Sequence, residues 1–241
     1  MFALSALRDP AARPLVIVPV QGGHADCLRQ ARALRHSGAD LLEWRLDTDP
    51  EWSSQSEQWE RRAAEYRQAS DLPVLATIRT TVEGGLAEVD DATYLAALKR
   101  LVECCEAVDV EGTRGQEVAR ELTQAKWQAI VVASSHDFAA VPPAEELRAT
   151  LEHLHRCGDV VKVAVMPACA EDVERLRAAA IEYAARADAK PLIAIAMGEL
   201  GIDTRLRPRE LSSCATFACL ERASAPGQVP VADVLAALRS N

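Results

Sequence analysis

The chain has 241 residues, of which 49% are hydrophobic and 26% are charged, and this balance excludes an intrinsically disordered protein. A net charge of −9 without a long basic run indicates that neither nucleic acid nor an anionic membrane is the main partner. No apolar run reaches the roughly 18 residues that a membrane-spanning helix requires.

The N-terminal sequence and the cysteines indicate the cellular compartment. The first residues, MFALSALRDPAARP, lack a charged segment followed by a long apolar core, so we expect no signal peptide. The seven cysteines form no C-x-x-C pair, and Cys104 and Cys105 are adjacent. This pattern is typical of reduced thiols in the cytoplasm rather than of a disulfide framework or a zinc site. We therefore expect a cytoplasmic protein without a structural metal.

Short apolar or β-branched runs alternate along the chain with longer segments of helical periodicity. In residues 91–104 and 171–186, for example, apolar residues recur at i, i+3, i+4 and i+7, as in an amphipathic helix. The runs that predict strands lie at residues 14–20, 40–46, 73–79, 107–111, 129–134, 159–165, 191–197 and 213–218.

The alternation of strands and helices indicates the fold class. It favours parallel strands joined by crossover helices, and eight such units in a chain of this length predict an α/β fold of the (β/α)8 TIM barrel type. A doubly wound open sheet is the alternative, although no G-x-G-x-x-G sequence follows the first strand. No linker or low-complexity tract interrupts the pattern. We therefore expect residues 1–241 to form a single (β/α)8 barrel domain.

Polar residues late in strands are informative, because the active site of a barrel lies at the carboxyl ends of its strands. Lys162, one of only four lysines among 27 basic residues, stands in the apolar sixth strand V-V-K-V-A-V. Strand side chains alternate between faces, so Lys162 faces the barrel interior while the valines beside it face the helices. A neutral amine in a dry pocket attacks a ketone to form a Schiff base. The alternative is a structural lysine paired with Glu43 or Glu111.

Two neighbouring strands end in charged residues. The second strand places Glu43, Arg45 and Asp47 on one face, and inward charges are costly unless they pair with each other or with a polar ligand. The third strand ends at Arg79, and Glu83 follows in the loop before two glycines. A guanidinium offers a bidentate fork to carboxylate or diol oxygens. These residues indicate ligand binding, and a structural ion network is the alternative.

The fourth and fifth strands add carboxylates and a histidine. Asp109 and Glu111 share one face of V-D-V-E, and His136 follows the end of the fifth predicted strand in S-S-H-D-F. Histidine suits proton transfer because its charge changes near neutral pH. A lone histidine is more often structural, but this one shares the barrel mouth with Lys162 and Glu83. We therefore regard His136 as a candidate acid–base group.

The loops after the seventh and eighth strands of a barrel often bind an anionic group. Met197 closes the seventh predicted strand, and Arg205 follows in the next loop. Ser224 and Gln228 lie in the loop after the eighth strand. Arg205 with Ser224 and Gln228 is therefore a candidate site for a carboxylate and hydroxyl groups, and a helix-capping loop is the alternative.

Six motifs follow one another in chain order, and each is weak alone. They are E-x-R-x-D, R-x-x-x-E-G-G, S-x-H-D-F, K-x-A-V-M-P, M-G-x-x-G-x-x-x-R and A-P-G-Q. Together and in register they resemble the type I 3-dehydroquinate dehydratase family over nearly the whole chain. The resemblance implies a barrel that dehydrates 3-dehydroquinate to 3-dehydroshikimate in the shikimate pathway by syn elimination. It also implies a lysine Schiff base, no metal or organic cofactor, and frequent assembly as a homodimer.

The roles of individual residues follow from the same resemblance. It implies that Lys162 forms the imine, that His136 is the general acid and base, and that Glu83 orients His136. It further implies that Arg205 pairs with the substrate carboxylate. The other implied ligands hold hydroxyl groups, order one another or form apolar walls, and they are Glu43, Arg45, Arg79, Met197, Phe217, Ser224 and Gln228.

Three positions depart from the family pattern. Thr204 stands where many members have serine, Pro19 where some have a serine ligand, and Ile195 where some have methionine. None of the three belongs to the Lys-His-Glu set. Two other functions remain open at this level. One is a class I aldolase, which shares the barrel and the lysine, and the other is a non-catalytic relative that binds a shikimate-like ligand.

Borohydride trapping tests the covalent role of Lys162. Sodium borohydride added together with 3-dehydroquinate is expected to fix ligand mass on the peptide that contains Lys162, because it reduces an imine to a stable amine. Mass spectrometry of the digested protein locates the adduct. An unmodified Lys162 peptide in a protein that still turns over substrate would exclude the covalent route.

Overall fold

Parallel strands and crossover helices follow one another along the chain. The computed structural model describes residues 12–114, 118, 120–121, 129–220 and 224–240. Its strands are β1 Leu15–Val20, β2 Leu41–Arg45, β3 Val74–Thr77, β4 Ala107–Glu111, β5 Ile130–Asp137, β6 Val160–Val165, β7 Leu192–Ala196, β8 Ala215–Cys219 and β9 Val229–Pro230.

Helices connect these strands on the outside of the sheet. The α-helices within the described ranges are α1 His24–Leu34, α2 Trp59–Ser70, α3 Asp91–Cys104, α4 Ala144–Cys157, α5 Ala170–Ala184, α6 Ile202–Leu206 and α7 Val231–Ser240. Short 3-10 turns occupy several of the loops at the carboxyl ends of strands, among them Leu46–Thr48, Thr81–Glu83 and Glu199–Gly201. Over the same ranges, no helix has both the length and the apolar character needed to cross a membrane.

The strand order shows a sheet that curls around on itself. It runs β7-β6-β5-β4-β3-β2-β1-β8-β9, and every neighbouring pair is parallel. One bridge between Leu192 and Ser213 joins β7 to the residues before β8, with Cys214 N donating to Leu192 O at 2.8 Å. The Ser213 hydroxyl accepts Ala194 N at 2.9 Å at the same seam. The result is the predicted barrel and not the open doubly wound sheet.

All eight predicted strands are confirmed, with small differences at their ends that matter for the site. β3 ends at Thr77, so Arg79 lies beyond the strand. β5 extends to Asp137, so the prediction that His136 follows the strand is wrong: it pairs within the ladder with Ala164. Arg205 lies in α6 rather than in an irregular loop. The longer β5 anchors His136 more rigidly than a loop would.

The barrel interior is apolar at the amino ends of the strands and polar toward their carboxyl ends. Val160 and Ala164 face this interior, and Val161, Val163 and Val165 pack outward against helices, as the alternation predicts. The apolar interior residues are Ile17, Leu41, Leu75, Ala107, Ile130, Val132, Val160, Ala164, Ile193, Ile195, Met197, Ala215 and Phe217. Most of these apolar side chains fill the barrel below the polar residues.

Gly201 provides a test of how tightly the end of β7 packs. A Cβ at this position would lie 2.0 Å from Ala196 O, and a backbone atom cannot move aside cheaply. We expect Gly201→Ala to lower the free energy of unfolding by about 1–3 kcal/mol, as overpacking does. Gly23→Ala is the matched control, because nothing lies within 4 Å of a Cβ there. Urea unfolding compares the two, and equal stability would contradict the close approach.

Candidate active site

A cavity opens at the carboxyl ends of the barrel strands. Its empty volume is about 590 Å³ with the open mouth included. The predicted site residues all line it, and they are Glu43, Arg45, Arg79, Glu83, His136, Lys162, Met197, Arg205, Phe217, Ser224 and Gln228. The remaining lining residues are Gly84, Phe138, Ala164, Ile195 and Ala225. The fold therefore brings together side chains that are spread over 186 positions of sequence, from 43 to 228.

Lys162 lies in the interior of the barrel, and only 4% of the residue is exposed. Its Nζ donates to Asp109 Oδ2 at 2.9 Å and lies 4.6 Å from the centroid of the Phe217 ring. Glu43 and Glu111, the partners considered from the sequence, are engaged elsewhere. The nitrogen thus has a carboxylate as its ion-pair partner and an aromatic face beside it, and both stabilise a positive charge.

Arg79 connects the carboxylates of the site. Its Nη1 donates to Glu83 Oε2 at 2.9 Å, to Glu111 Oε1 at 3.1 Å and to Ser134 Oγ at 3.2 Å. Its Nη2 donates to Asp109 Oδ1 at 2.7 Å. Burial by itself would lower the pKa of Arg79, but the three carboxylates outweigh it and raise the pKa. The guanidinium is therefore a permanent cation whose Nη1 and Nη2 groups already donate to other side chains of the site.

Asp109 is an ionised carboxylate that is almost completely buried. Burial by itself would raise the pKa of Asp109, but Arg79 and Lys162 outweigh it and lower the pKa to about 2. The Ser134 hydroxyl adds a hydrogen bond of 2.6 Å to Oδ1. The sequence did not predict Asp109 as a site residue. Its position in V-D-V-E, on the same face as Glu111, nevertheless indicates that it lies near the other charged residues of the site.

His136 and Glu83 form a hydrogen-bonded pair. His136 Nδ1 lies 2.8 Å from Glu83 Oε2, and 10% of the imidazole is exposed. Burial lowers the pKa of His136 well below its usual value, and the cations of Arg79 and Lys162 lower it further. A neutral ring that donates Nδ1–H to the carboxylate carries its lone pair on Nε2. The pair is therefore built to accept a proton at Nε2.

Two glycines shape the loop that carries Glu83. Gly84 has φ = +76°, and a Cβ there would lie 2.4 Å from the Phe138 ring. A Cβ on Gly85 would lie 2.1 Å from Arg79 O. Only glycine allows the loop to fold back so closely on Arg79. This return places the Glu83 carboxylate between the guanidinium and His136.

The end of β2 carries a second ion pair. Arg45 Nε and Nη2 donate to the two oxygens of Asp47, both at 2.8 Å. Asp47 Oδ2 also accepts Leu86 N at 3.2 Å, which ties this strand to the loop after β3. Glu43, two residues before Arg45 in β2, accepts a hydrogen bond from the Thr77 hydroxyl at 2.9 Å. Asp47 therefore orders Arg45.

Arg205 differs from the other buried cations of the site. Its Nη1 and Nη2 donate to the carbonyls of Phe217 at 3.4 Å and Pro226 at 3.1 Å, and its Nε has no partner. No ion pair joins it to a carboxylate in the described part of the chain. Burial lowers the pKa of Arg205 to about 10. An uncompensated cation that lines a cavity favours an anionic ligand.

The loops after β7 and β8 meet at two glycines. A Cβ on Gly227, which has φ = +74°, would lie 2.3 Å from Gly198 O. The Ser224 hydroxyl and the Gln228 amide bond each other, with Gln228 Nε2 donating to Ser224 Oγ at 2.8 Å. Thr204, which stands where many family members have serine, has a structural role, because its hydroxyl donates to Gly201 O at 2.7 Å. These contacts hold the polar side chains at the mouth.

Two other residues depart from the family pattern, and one residue of the cavity was not predicted from its motif. Pro19 pairs in register with Glu43, and Ile195 lines the cavity as an apolar residue. Phe138, 40% exposed at the mouth, was not predicted as a site residue, although it ends the S-x-H-D-F motif. Within the described ranges, no group of three or more histidines, cysteines and carboxylates is arranged to hold a metal ion.

The chain is similar to known proteins over almost its whole length. Residues 16–241 match the model of the type I 3-dehydroquinase family. A 3-dehydroquinate dehydratase of Salmonella choleraesuis is 32% identical over 227 residues, which cover 92% of this chain and 90% of that protein. The crystal structure of 3-dehydroquinate dehydratase from Geobacillus kaustophilus has a TM-score of 0.87 at 36% identity and covers 94% of this chain and 90% of its own.

A second solved structure is similarly close. It is the type I 3-dehydroquinate dehydratase of Clostridium difficile with covalent modified comenic acid. Its TM-score is 0.87 at 30% identity, and the match covers 95% of this chain and 92% of that one. The similarity therefore extends over the whole barrel and includes the strands and loops that line the cavity.

The low pKa of His136 makes the stability of the fold depend on pH. Below the ordinary histidine pKa the unfolded chain takes up a proton that folded His136 does not, so the free energy of unfolding falls as the pH drops from 7 to 5. One proton contributes at most about 1.4 kcal/mol per pH unit. We expect His136→Gln to lose this part of the dependence in urea unfolding. The exposed His36 is the control, and His36→Gln should keep it.

Proposed function

The chain belongs to the type I 3-dehydroquinase family, and from this premise we propose that its cavity dehydrates 3-dehydroquinate to 3-dehydroshikimate through an imine on Lys162. The observation that carries the proposal is the buried lysine nitrogen with an aromatic ring beside it. A hydrogen-bonded His136–Glu83 pair and the uncompensated Arg205 line the same cavity. Together they supply a nucleophile, a base and a place for the substrate carboxylate.

The reaction begins with imine formation. The amine of Lys162 attacks the C3 ketone of the substrate, a carbon–nitrogen bond forms, and the carbonyl π electrons move to oxygen. His136 then assists loss of that oxygen as water from the carbinolamine. The iminium that results is a cationic electron sink, so the proton on C2 becomes more acidic. No metal or organic cofactor is called for, because the protein provides the sink itself.

The elimination follows from the same two side chains. His136 removes the C2 proton, and the electrons of the C–H bond form an enamine with the nitrogen. The enamine then expels the C1 hydroxyl group, and His136 returns the proton to the leaving oxygen, so that water departs. Hydrolysis of the conjugated iminium releases 3-dehydroshikimate and restores Lys162. One histidine suffices because the proton transfers occur in sequence.

The electrostatics of His136 support this role. Its low pKa keeps the imidazole neutral at physiological pH, as a base must be before it removes a proton. The hydrogen bond from Nδ1 to Glu83 fixes the orientation of the ring and leaves Nε2 basic. Glu83 is itself held by Arg79, so it stabilises the imidazolium that forms without losing its position.

Substrate binding is assigned to the remaining lining residues. We propose that Arg205 pairs with the substrate carboxylate, because no carboxylate among the described residues pairs with this guanidinium. Ser224 and Gln228, in the loop that contacts the Arg205 side chain through Pro226, would hold hydroxyl groups. Glu43 and Arg45 lie at the end of β2 and would contact further hydroxyl groups of the substrate.

Three lining residues act in other ways. The Nη1 and Nη2 groups of Arg79 donate to Glu83, Asp109, Glu111 and Ser134, which favours an ordering role over direct substrate contact. Phe217 and Met197 belong to the apolar interior and would form the walls of the cavity. Family membership sets aside the aldolase, and the complete set of reactive side chains argues against a non-catalytic relative.

The same proposal extends to organisation and location. We propose that residues 1–241 form one catalytic domain that assembles as a homodimer, as the resemblance implies. All seven cysteines are free thiols, which supports a location in the reducing cytoplasm. Sedimentation analysis of the purified protein measures the oligomeric state, and fractionation of the producing cells measures the location.

The test of the activity follows the ultraviolet absorbance of the conjugated enone that dehydration produces. We expect the protein to generate this absorbance from 3-dehydroquinate. His136→Ala should still form the borohydride adduct on Lys162 while kcat falls by about 10²–10⁴, the usual contribution of general acid–base catalysis. His36→Ala, at an exposed position, is the matched control and should retain normal turnover. Near-normal kcat in His136→Ala would remove His136 from its role.

A further inference from the structure

Asp109 divides its two carboxylate oxygens between different partners. Oδ2 accepts the Lys162 ammonium at 2.9 Å, and Oδ1 accepts Arg79 Nη2 at 2.7 Å and the Ser134 hydroxyl at 2.6 Å. Only 1% of the residue is exposed. One oxygen is thus fixed by the scaffold of the site, and the other is presented to the nitrogen on which the imine forms.

We propose that Asp109 is the counter-ion of the reacting nitrogen at every cationic stage of the reaction. This inference rests on the imine chemistry proposed above for Lys162. It assigns a function in catalysis to a carboxylate that neither accepts a reaction proton nor binds the substrate. His136 moves the protons, and Asp109 balances the charge.

The charge balance of imine formation supports this assignment. An ammonium and a ketone give an iminium and a water molecule, so the nitrogen carries one positive charge before and after the step. Two of the three ammonium protons leave in the water, and one stays on the nitrogen. The enamine is neutral, and expulsion of the C1 hydroxyl restores the iminium. A fixed negative charge beside the nitrogen therefore suits both the resting enzyme and the covalent cationic intermediates.

The other carboxylates of the cavity are engaged elsewhere. Glu111 accepts Arg79 Nη1, Thr80 N and the Thr80 hydroxyl, and Glu83 accepts His136. In the described part of the chain, the ion pair of Lys162 is with Asp109. The charged and titratable groups that line the cavity or its network beside this pair are Glu43, Arg45, Arg79, Glu83, Glu111, His136 and Arg205.

Asp109 is also protected from acting as a competing base. Arg79 holds one of its oxygens, and the low pKa keeps the carboxylate ionised throughout the working range of His136. The Phe217 ring near the same nitrogen stabilises a cation without offering a proton acceptor. The surroundings of Nζ thus favour positive charge on it, while the basic nitrogen of the site belongs to His136.

The decisive variant is Asp109→Asn, which keeps the shape of the side chain and removes its charge. We expect kcat to fall about 100-fold, as on loss of one preorganised electrostatic contact, with a much smaller change in KM. The ammonium gives up its proton more readily without its counter-ion. The pH at which borohydride trapping of the adduct is half-maximal should therefore move down by about one unit or more.

Asp49→Asn is the matched control for loss of a buried ion pair. Asp49 accepts Arg62 Nη1 at 3.0 Å, and both side chains are buried outside the cavity. We expect this variant to lose stability in urea unfolding while its kcat and its trapping midpoint stay at the wild-type values. A purely structural Asp109 would behave in the same way, so the shifted midpoint is the readout that distinguishes the two roles.

The outcomes separate the inference from the proposed function. No enone from the wild-type protein would overturn the function, whereas normal kcat and an unshifted midpoint in Asp109→Asn would overturn only the role of Asp109. If Asp109→Asn does not fold, Asp109→Glu replaces it. This variant keeps the charge but displaces it, so we expect a lower kcat with an unshifted midpoint. A wild-type kcat in Asp109→Glu would overturn the inference.

Discussion

The site depends on one buried guanidinium that satisfies three carboxylates. Arg79 binds Glu83, Asp109 and Glu111, and each of these carboxylates then orders a different part of the cavity. Glu83 orients His136, Asp109 holds Lys162, and Glu111 fixes the backbone where the loop after β3 begins. Removal of one partner from a buried ion pair leaves the other charge uncompensated, so the arrangement is costly to break at any single member.

A contrast between two cations explains how this unit prepares the cavity for its substrate. Lys162 has its counter-ion inside the protein, whereas among the described residues Arg205 donates to two backbone carbonyls and its Nε has no hydrogen-bond partner. The cavity therefore accommodates one more negative charge, which the substrate carboxylate supplies in the proposed function. An acidic protein can bind an anion in this way, because a local uncompensated charge matters more at short range than the net charge of −9.

The barrel makes this concentration of charge possible by separating two layers. Apolar side chains fill the interior at the amino ends of the strands, and the polar residues stand above them at the carboxyl ends. Loops that approach closely through Gly85 and Gly227 then bring Glu83 and Gln228 to the same mouth. Paired strands carry Lys162 and His136, so the proposed nucleophile and base are held in fixed positions.

The sequence by itself determined the eight strands, the inward face of Lys162 and eleven of the residues that line the cavity. These properties are local, since alternation with period two assigns a face to every residue of a strand and motif order assigns the loops. Only the tertiary structure decided that Asp109, and not Glu43 or Glu111, holds Lys162 and that β5 extends through His136. It also decided that Arg205 has no counter-ion among the described residues. Partners across a barrel depend on the register and closure of all its strands, and no single segment encodes them.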